Sequence, residues 1–306
     1  MNKIFSIIKE PWRIISTPKL HSIMKLLPDN FFLKAKFKTE MGKSLNLITP
    51  CSFNEKLQWL KLNNRQQEYT KMVDKYAVKD YVADIIGEEY IIPTLGVWDT
   101  FDEINFNDLP ESFVLKCTHD SAGLVIVKDK NKLNINQARE KINKCLRRNY
   151  YYNGREWPYK NVKPRIIAEK YMEDPNTRTL KDYKFFTFNG VAKIWYIASG
   201  KNNPNDVIHL DFFDMDYNHL KIKNGHPFSQ KIPDKPQNFD TMRILAEKLS
   251  VGIPHVRVDF YEVDGNVYFG EMTFFHNSGF VPFEPEYWDE ILGSWIYFTN
   301  EDTKNG

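Results

Sequence analysis

Between Pro254 and Phe280 the chain reads PHVRVDFYEVDGNVYFGEMTFFHNSGF, and this stretch constrains the fold more than any other. Asp264-Gly265 suits the type I′ turn of a two-residue hairpin, because both turn positions need positive φ. The flanking runs, His255–Val263 and Asn266–Glu271, therefore predict an antiparallel strand pair. Side chains alternate along a strand, so Arg257, Asp259 and Tyr261 share one face while Val256, Val258 and Phe260 share the other. Strict alternation also puts Glu271 on the face of Val267 and Phe269. One arginine and two carboxylates thus gather at one end of the hairpin. Carboxylates so grouped suit a hard cation such as magnesium, and the arginine suits a phosphate or another oxyanion. The plainer alternative is a half-buried hairpin carrying a surface ion pair.

A chain of 306 residues is long enough for one large domain or several subdomains with a true core. Aromatic residues make up 15% of it, which favours a globular enzyme over a disordered segment. Cys51, Cys117 and Cys145 are odd in number and scattered, with neither zinc spacing nor a disulfide framework, so a reducing cytoplasm is expected. No apolar run is long enough to span a membrane. The net charge of +2 hides an asymmetry: Met1–Lys43 holds nine Lys/Arg against three Asp/Glu. With its isoleucines and Trp12, this basic arm could lie on an anionic membrane surface, at the inner face, or pack on the body as a peripheral helix. Nucleic acid is not an expected partner, because the positive charge does not extend across the rest of the chain.

Along the chain, Ser52 with Glu55 has the form of a capping box opening a helix. Asp74 is expected to start another, in which Lys75 and Lys79 share a face before Gly87 ends it. Phe113–Leu115 and Leu124–Val127 read as strands around the polar turn Thr118–Gly123. Lys116, at a strand end beside that small-residue loop, can meet phosphate by charge while the loop offers backbone N–H groups. His119 reads as a hydrogen-bonded loop residue rather than an acid or base. Asn131–Tyr150 is an amphipathic helix. The aromatic loop from Tyr150 to Lys163 could stack on sugar rings or cover a joint between subdomains. Arg165–Met172, Asp182–Phe188 and Val191–Ile197 read as strands, Phe239–Leu249 and Pro285–Phe298 as helices. Asp214 and Asp216 form a D-x-D triplet, a motif compatible with a metal–diphosphate.

Taken in order, these motifs resemble those of ATP-grasp enzymes over residues 42–290. Arg257 and Asp259 match an R-x-D strand and Glu271 the acid of an E-x-N motif, with Thr273 where asparagine is usual. The string Asn46-Leu47…Phe53-Asn54-Glu55-Lys56…Gln58-Trp59-Leu60-Lys61-Leu62 resembles the opening of the TupA-like branch, found in surface polysaccharide biosynthesis such as capsule, O-antigen or teichuronic-type polymers. The resemblance implies an α+β fold in which two subdomains clasp ATP. It divides the chain into a basic helical arm (1–43), a helical and linker part (44–110), a small lid subdomain (111–198) and a metal-binding subdomain with tail (199–306).

By the same resemblance, Lys79, Lys116 and Lys184 would meet the ATP phosphates, with Ser121 and Gly123 as loop contacts. Glu169, Tyr171 and Met172 would lie at the adenine and Asp182 at the ribose. Asp259, Glu271 and Thr273 would hold Mg2+, while Arg257 and Lys116 would act in catalysis. The implied reaction is amide formation through an acyl phosphate, joining an amino acid to a carboxylate on a glycan or its lipid-linked precursor. Three rivals remain: a glycosyltransferase using Asp214 and Asp216, a phosphotransferase acting on a glycan hydroxyl, and a non-catalytic carbohydrate-binding protein.

Overall fold

The computed structural model describes residues 25–174, 180–200 and 207–298. Residues 1–24, most of the expected basic arm, lie outside them. The described end of that arm forms helix α1 (Asp29–Met41), closed by Gly42 in the left-handed region. Its buried Phe32, Leu33 and Phe37 pack with Leu45 and Phe280, so this part of the arm is docked on the body. Helix α2 (Phe53–Asn63) opens with the anticipated capping box between Ser52 and Glu55. Such a cap contributes about 1 kcal/mol. Helix α3 (Glu68–Val73) is followed by α4 (Ala77–Ile86). Asp74 precedes α4 rather than starting it: its carboxylate accepts from the backbone N–H groups of Tyr76 and Ala77.

Two antiparallel sheets follow. The smaller joins β1 (Thr94–Trp98), β4 (Ile166–Lys170), β2 (Phe113–Cys117) and β3 (Val125–Val127) in that spatial order. Helix α5 (Ile135–Leu146) covers one face, where Phe113, Leu115 and Cys117 meet Ala138, Ile142 and Cys145. The larger runs β11 (Asn266–Thr273), β10 (His255–Val263), β5 (Asp182–Phe188), β6 (Val191–Ser199), β7 (His209–Asp214) and β8 (His219–Leu220). Helix α6 (Phe239–Leu249) covers one face of it. There Phe185 stacks on Trp195 at 5.6 Å and Phe239 leans on both rings. A two-stranded ribbon of β9 (Lys223–Asn224) and β12 (Phe283–Glu284) and a terminal helix α7 (Tyr287–Ser294) complete the body.

The fold is mixed α+β, as expected, but the sheets divide the chain elsewhere than the motifs suggested. β5 and all but the last residue of β6 fall within 111–198 yet hydrogen-bond in the large sheet, while β1, from the 44–110 part, belongs to the small one. β4 ends at Lys170 in the small sheet and β5 begins at Asp182 in the large one. Alternation reports which face a residue takes, not which sheet its strand will join.

The hairpin turn is as read: Asp264 and Gly265 have φ of 51° and 74°. The facing of Glu271 is not. The β10–β11 register steps between Asp259 and Phe260, pairing Asp259 with Glu271 and Phe260 with Phe269, so Gly270 is left unpaired as a bulge. Beyond it the parity reverses. Val267, Phe269 and Met272 are buried in the core, whereas Glu271 and Thr273 turn to the side of Arg257 and Asp259.

Candidate active site

The face of the small sheet away from α5 and one end of the large sheet's face away from α6 look onto one cavity of about 210 Å³; Phe53 of α2 covers the rest of the latter face at Phe186, Phe188 and His255. The small sheet supplies Lys116 and Glu169, because Val114 pairs with Glu169 and Lys116 with Ile167, which brings both side chains to the face away from α5. Helix α4 supplies Lys79 and the turn before it Lys75; the β2–β3 loop supplies Asp120 and Ser121. Asp182, Lys184, Tyr261 and Glu271 come from the large sheet.

On the small-sheet side, Glu169 bridges two lysines. Lys79 Nζ lies 2.5 Å from Oε1 and Lys116 Nζ 2.6 Å from Oε2. Lys79 also donates to the Ile92 carbonyl and the Thr94 hydroxyl. Burial pushes the Glu169 carboxyl up, but Lys116 and Lys79 outweigh it and hold the group below the usual carboxylate range. Burial in turn pulls Lys79 down despite Glu169.

On the large-sheet side everything converges on Arg257, which is 7% exposed. Nε and Nη2 grip Asp259 at 2.6 and 2.7 Å, and Nη2 also reaches Glu271 and Thr273 at 3.0 Å each. Lys184, opposite Asp259 in the β5–β10 register, ion-pairs with it and lies 3.6 Å from Asp182. Burial draws the Lys184 ammonium down, and Asp259 and Asp182 more than reverse it. Burial likewise pushes Glu271 up, yet Lys75, Lys184 and Arg257 bring it to about 2.

That shift has a consequence for acid stability. A depressed carboxyl contributes stability that is fully present above its unfolded value of about 4.3 and is lost as pH falls through the folded one. Between about pH 4 and about 2, thermal unfolding of the wild-type chain should therefore lose midpoint faster than that of Glu271→Gln. Parallel curves would reject the ion pairing.

Several expected site residues do not line the cavity. Gly123, at φ +76°, backs onto the Cys145 and Cys117 thiols. Tyr171 donates to Glu173 and has Lys128 over its ring, and Met172 is buried. Arg257, Asp259 and Thr273 stand one layer behind Glu271 and Lys184. Thr273 accepts from Arg257 and lies 3.3 Å from Glu271, so its hydroxyl orients those groups. The aromatic loop covers a joint: Tyr150 packs on Tyr159, and Trp157 on Tyr69, which stacks on Phe274. His119 is buried with Nε2 on the Cys145 and Arg148 carbonyls. Asp214 accepts from the backbone of Asp216 and Asn218 and from the Asn218 amide, so a turn consumes the D-x-D carboxylate.

Sequence reasoning passed over His276, which reaches Arg257 from behind, and Asn224, which bonds to the other ring nitrogen of His276. It also left Lys75 without a role, although Lys75 sits four residues before Lys79. Carboxylates are the donors a hard dication takes, and those of Asp182 and Glu271 line the cavity, while Asp259 stands behind them with its oxygens on Arg257 and Lys184. Among the described residues no helix is long and apolar enough to cross a membrane.

Comparison with known proteins adds three findings. The profile of the family described as TupA-like ATPgrasp matches residues 55–297. No curated protein matches the sequence. Solved structures similar to the chain include the D-alanine–D-alanine ligase from Bacillus anthracis complexed with ATP (15% identity, 80% of this chain and 62% of that one, TM-score 0.39). The D-alanine–D-alanine ligase from Helicobacter pylori is also similar (15% identity, 80% and 69%, TM-score 0.40). So is the ATP-grasp ligase PsnB complexed with minimal precursor, Mg and ADP (9% identity, 84% and 65%, TM-score 0.39). The chain spans 62% of the length of the first of these.

Proposed function

The chain belongs to the TupA-like ATP-grasp family of ATP-dependent ligases, and on that premise we propose that it joins a carboxylate to an amine through an acyl phosphate, with a glycan carboxylate and an amino acid as the substrate pair. The supporting observation is the two-sided cavity. Lys79 and Lys116, aligned by Glu169, share it with Asp182, Lys184 and Glu271 of the large sheet, behind which Arg257 stands.

In this reading the triphosphate enters between the sheets. At about 210 Å³ the cavity suits the phosphates, being smaller than the roughly 300–1,000 Å³ of pockets that enclose a whole ligand. The nucleoside then extends along Leu124 and Ile126, which are 41% and 54% exposed. Lys79, Lys116 and Lys184 offset phosphate charge and Ser121 contacts it from the loop. Asp182 and Glu271, which line the cavity, would hold Mg2+, which when bound draws charge from the phosphate oxygens; Asp259 is fixed behind them by Arg257 and Lys184. The substrate carboxylate attacks the γ-phosphorus and ADP leaves. The amine then attacks the carbonyl carbon, Arg257 steadies the oxyanion that forms, and phosphate departs with the amine proton lost to solvent.

Thermal unfolding with Mg·ATP tests the reading. A ligand at a hundred times its Kd stabilises by about 2.7 kcal/mol. The wild-type chain should show an upward shift with Mg·ATP, and Lys116→Ala should lose most of it while nucleotide sugars give none. A shift with nucleotide sugars alone would move the search to glycosyl transfer.

A further inference from the structure

The loop between β2 and β3 lines the cavity with Asp120, Ser121 and Ala122. It forms neither helix nor strand, and its backbone alone does not fix it. Its single glycine, Gly123, is packed against the Cys117 and Cys145 thiols, below the stretch that faces the cavity. What holds that stretch is a residue the cavity does not contain. Arg148 lies two positions beyond the end of α5. Its Nη2 donates to Asp120 Oδ1 at 3.0 Å, and its Nε stands 3.0 Å from Oδ2.

The two ends of this pair differ in environment. The Asp120 side chain is fully buried, whereas that of Arg148 is 41% exposed. A desolvated carboxylate depends on its counter-charge far more than a surface one does. The side-on grip of two guanidinium nitrogens sets the direction of the carboxylate as well as offsetting its charge. Direction matters here, because Oδ1 also accepts from the Ala122 N–H at 2.9 Å. Turning the carboxylate therefore turns the loop backbone at Ser121 and Ala122.

Neighbouring contacts fasten the root of the loop but not its tip. His119 Nε2 lies 3.3 and 3.2 Å from the Cys145 and Arg148 carbonyls, at the end of α5 where carbonyls lack intrahelical donors. Lys75 donates from its backbone to the Thr118 carbonyl and from Nζ to the Asp120 carbonyl. Beyond Asp120 the hold passes through its side chain, and so through Arg148.

We propose that Arg148 is a positioning residue: by clamping the Asp120 carboxylate it sets Ser121 and Ala122 against the cavity before any phosphate arrives. The loop then meets its ligand already ordered, and binding is spared the cost of ordering it. The inference rests on the ATP-dependent ligase reading and adds the residue, outside the cavity, that arranges its phosphate-facing loop. Merely offsetting the charge of Asp120 is the competing role for Arg148, and removing both groups together separates the two.

The full chain is compared by hydrogen exchange without nucleotide, followed by NMR, and by calorimetric titration with Mg·ATP. In Arg148→Leu the Ala122 amide should exchange about tenfold faster, while amides of the β10–β11 hairpin keep wild-type rates and show that the variant folds. Its affinity for Mg·ATP should fall about tenfold. The double variant Asp120→Asn, Arg148→Leu leaves no unpaired buried charge, yet should keep both defects because the clamp is still missing. Recovery of Mg·ATP affinity in the double variant would overturn the proposal in favour of charge offset. So would a wild-type exchange rate at Ala122 in Arg148→Leu, or a faster rate with unchanged Mg·ATP affinity. Absence of Mg·ATP binding in the wild type would instead overturn the ligase reading, and the positioning role with it, whereas the exchange rates would still report whether Arg148 holds the loop.

Discussion

Arg257→Met is expected to lower turnover by about 10²–10³-fold, the usual cost of removing a donor aimed at a developing oxyanion. The same change should lower unfolding stability by roughly 3–5 kcal/mol, because it leaves a buried carboxylate without its principal partner. Asp259 is 1% exposed and both its oxygens rest on Arg257, with Lys184 as the other counter-charge. Methionine matches the arginine stem but supplies no donor. Arg257→Lys separates the two effects, since a single ammonium restores charge but cannot fork between Asp259, Glu271 and His276. It should recover part of the urea midpoint and little of the ADP release seen with a productive substrate pair. Recovery of both would show that charge alone is needed.

Gly293→Ala should lower stability sharply although it is remote from the cavity. Gly293 lies in α7, and a methyl group there would sit 2.2 Å from the Cys51 carbonyl oxygen and 2.7 Å from both the Phe53 nitrogen and the Ser52 carbonyl carbon. All three are backbone atoms at the capped start of α2, so none can swing aside as a long side chain could. Overpacking commonly costs about 1–3 kcal/mol, and a clash confined to backbone belongs at or above the top of that range. The helices must separate, breaking the bonds by which Asn54 holds Asp289 and Lys56 holds the Ile296 carbonyl. A fall in Tm of roughly 6–12 °C is expected, following about 2–4 °C per kcal/mol in larger domains. Gly252→Ala is a useful contrast: nothing lies within 4 Å of its added carbon, and its cost would come from φ +77° alone. Equal Tm values for Gly293→Ala and wild type would mean that the two helices do not approach as described.

The parts of this fold visible in the sequence are those fixed by neighbours along the chain. Asp264-Gly265 declared its hairpin and Ser52 with Glu55 its helix start, because turn and cap chemistry are settled within about four residues. Lys116 was legible as a lysine near a strand end beside its loop, and it lies one residue from the end of β2. What stayed hidden depends on distant pairing. Glu169 was assigned to the adenine by resemblance, yet its carboxylate is taken by Lys79 and Lys116, from separate elements. His276 and Asn224 are separated by 52 positions, and nothing local marks either. Glu271 was put on the wrong face because one unpaired residue, Gly270, interrupts the period of two. A glycine inside a strand is a recognised sign of a bulge, and it was the available clue.

The cavity wall carries four lysines, Lys75, Lys79, Lys116 and Lys184, and four carboxylates, Asp120, Glu169, Asp182 and Glu271. Seen from beyond a Debye length of about 8 Å, these charges largely cancel. An approaching polyanion therefore meets little long-range pull, and its arrival rate is set by ordinary diffusion and orientation rather than by electrostatic steering. Attraction begins on contact, when phosphate oxygens compete with Glu169 for its two lysines. Discrimination among anions then lies in how long each one stays, not in how quickly it comes.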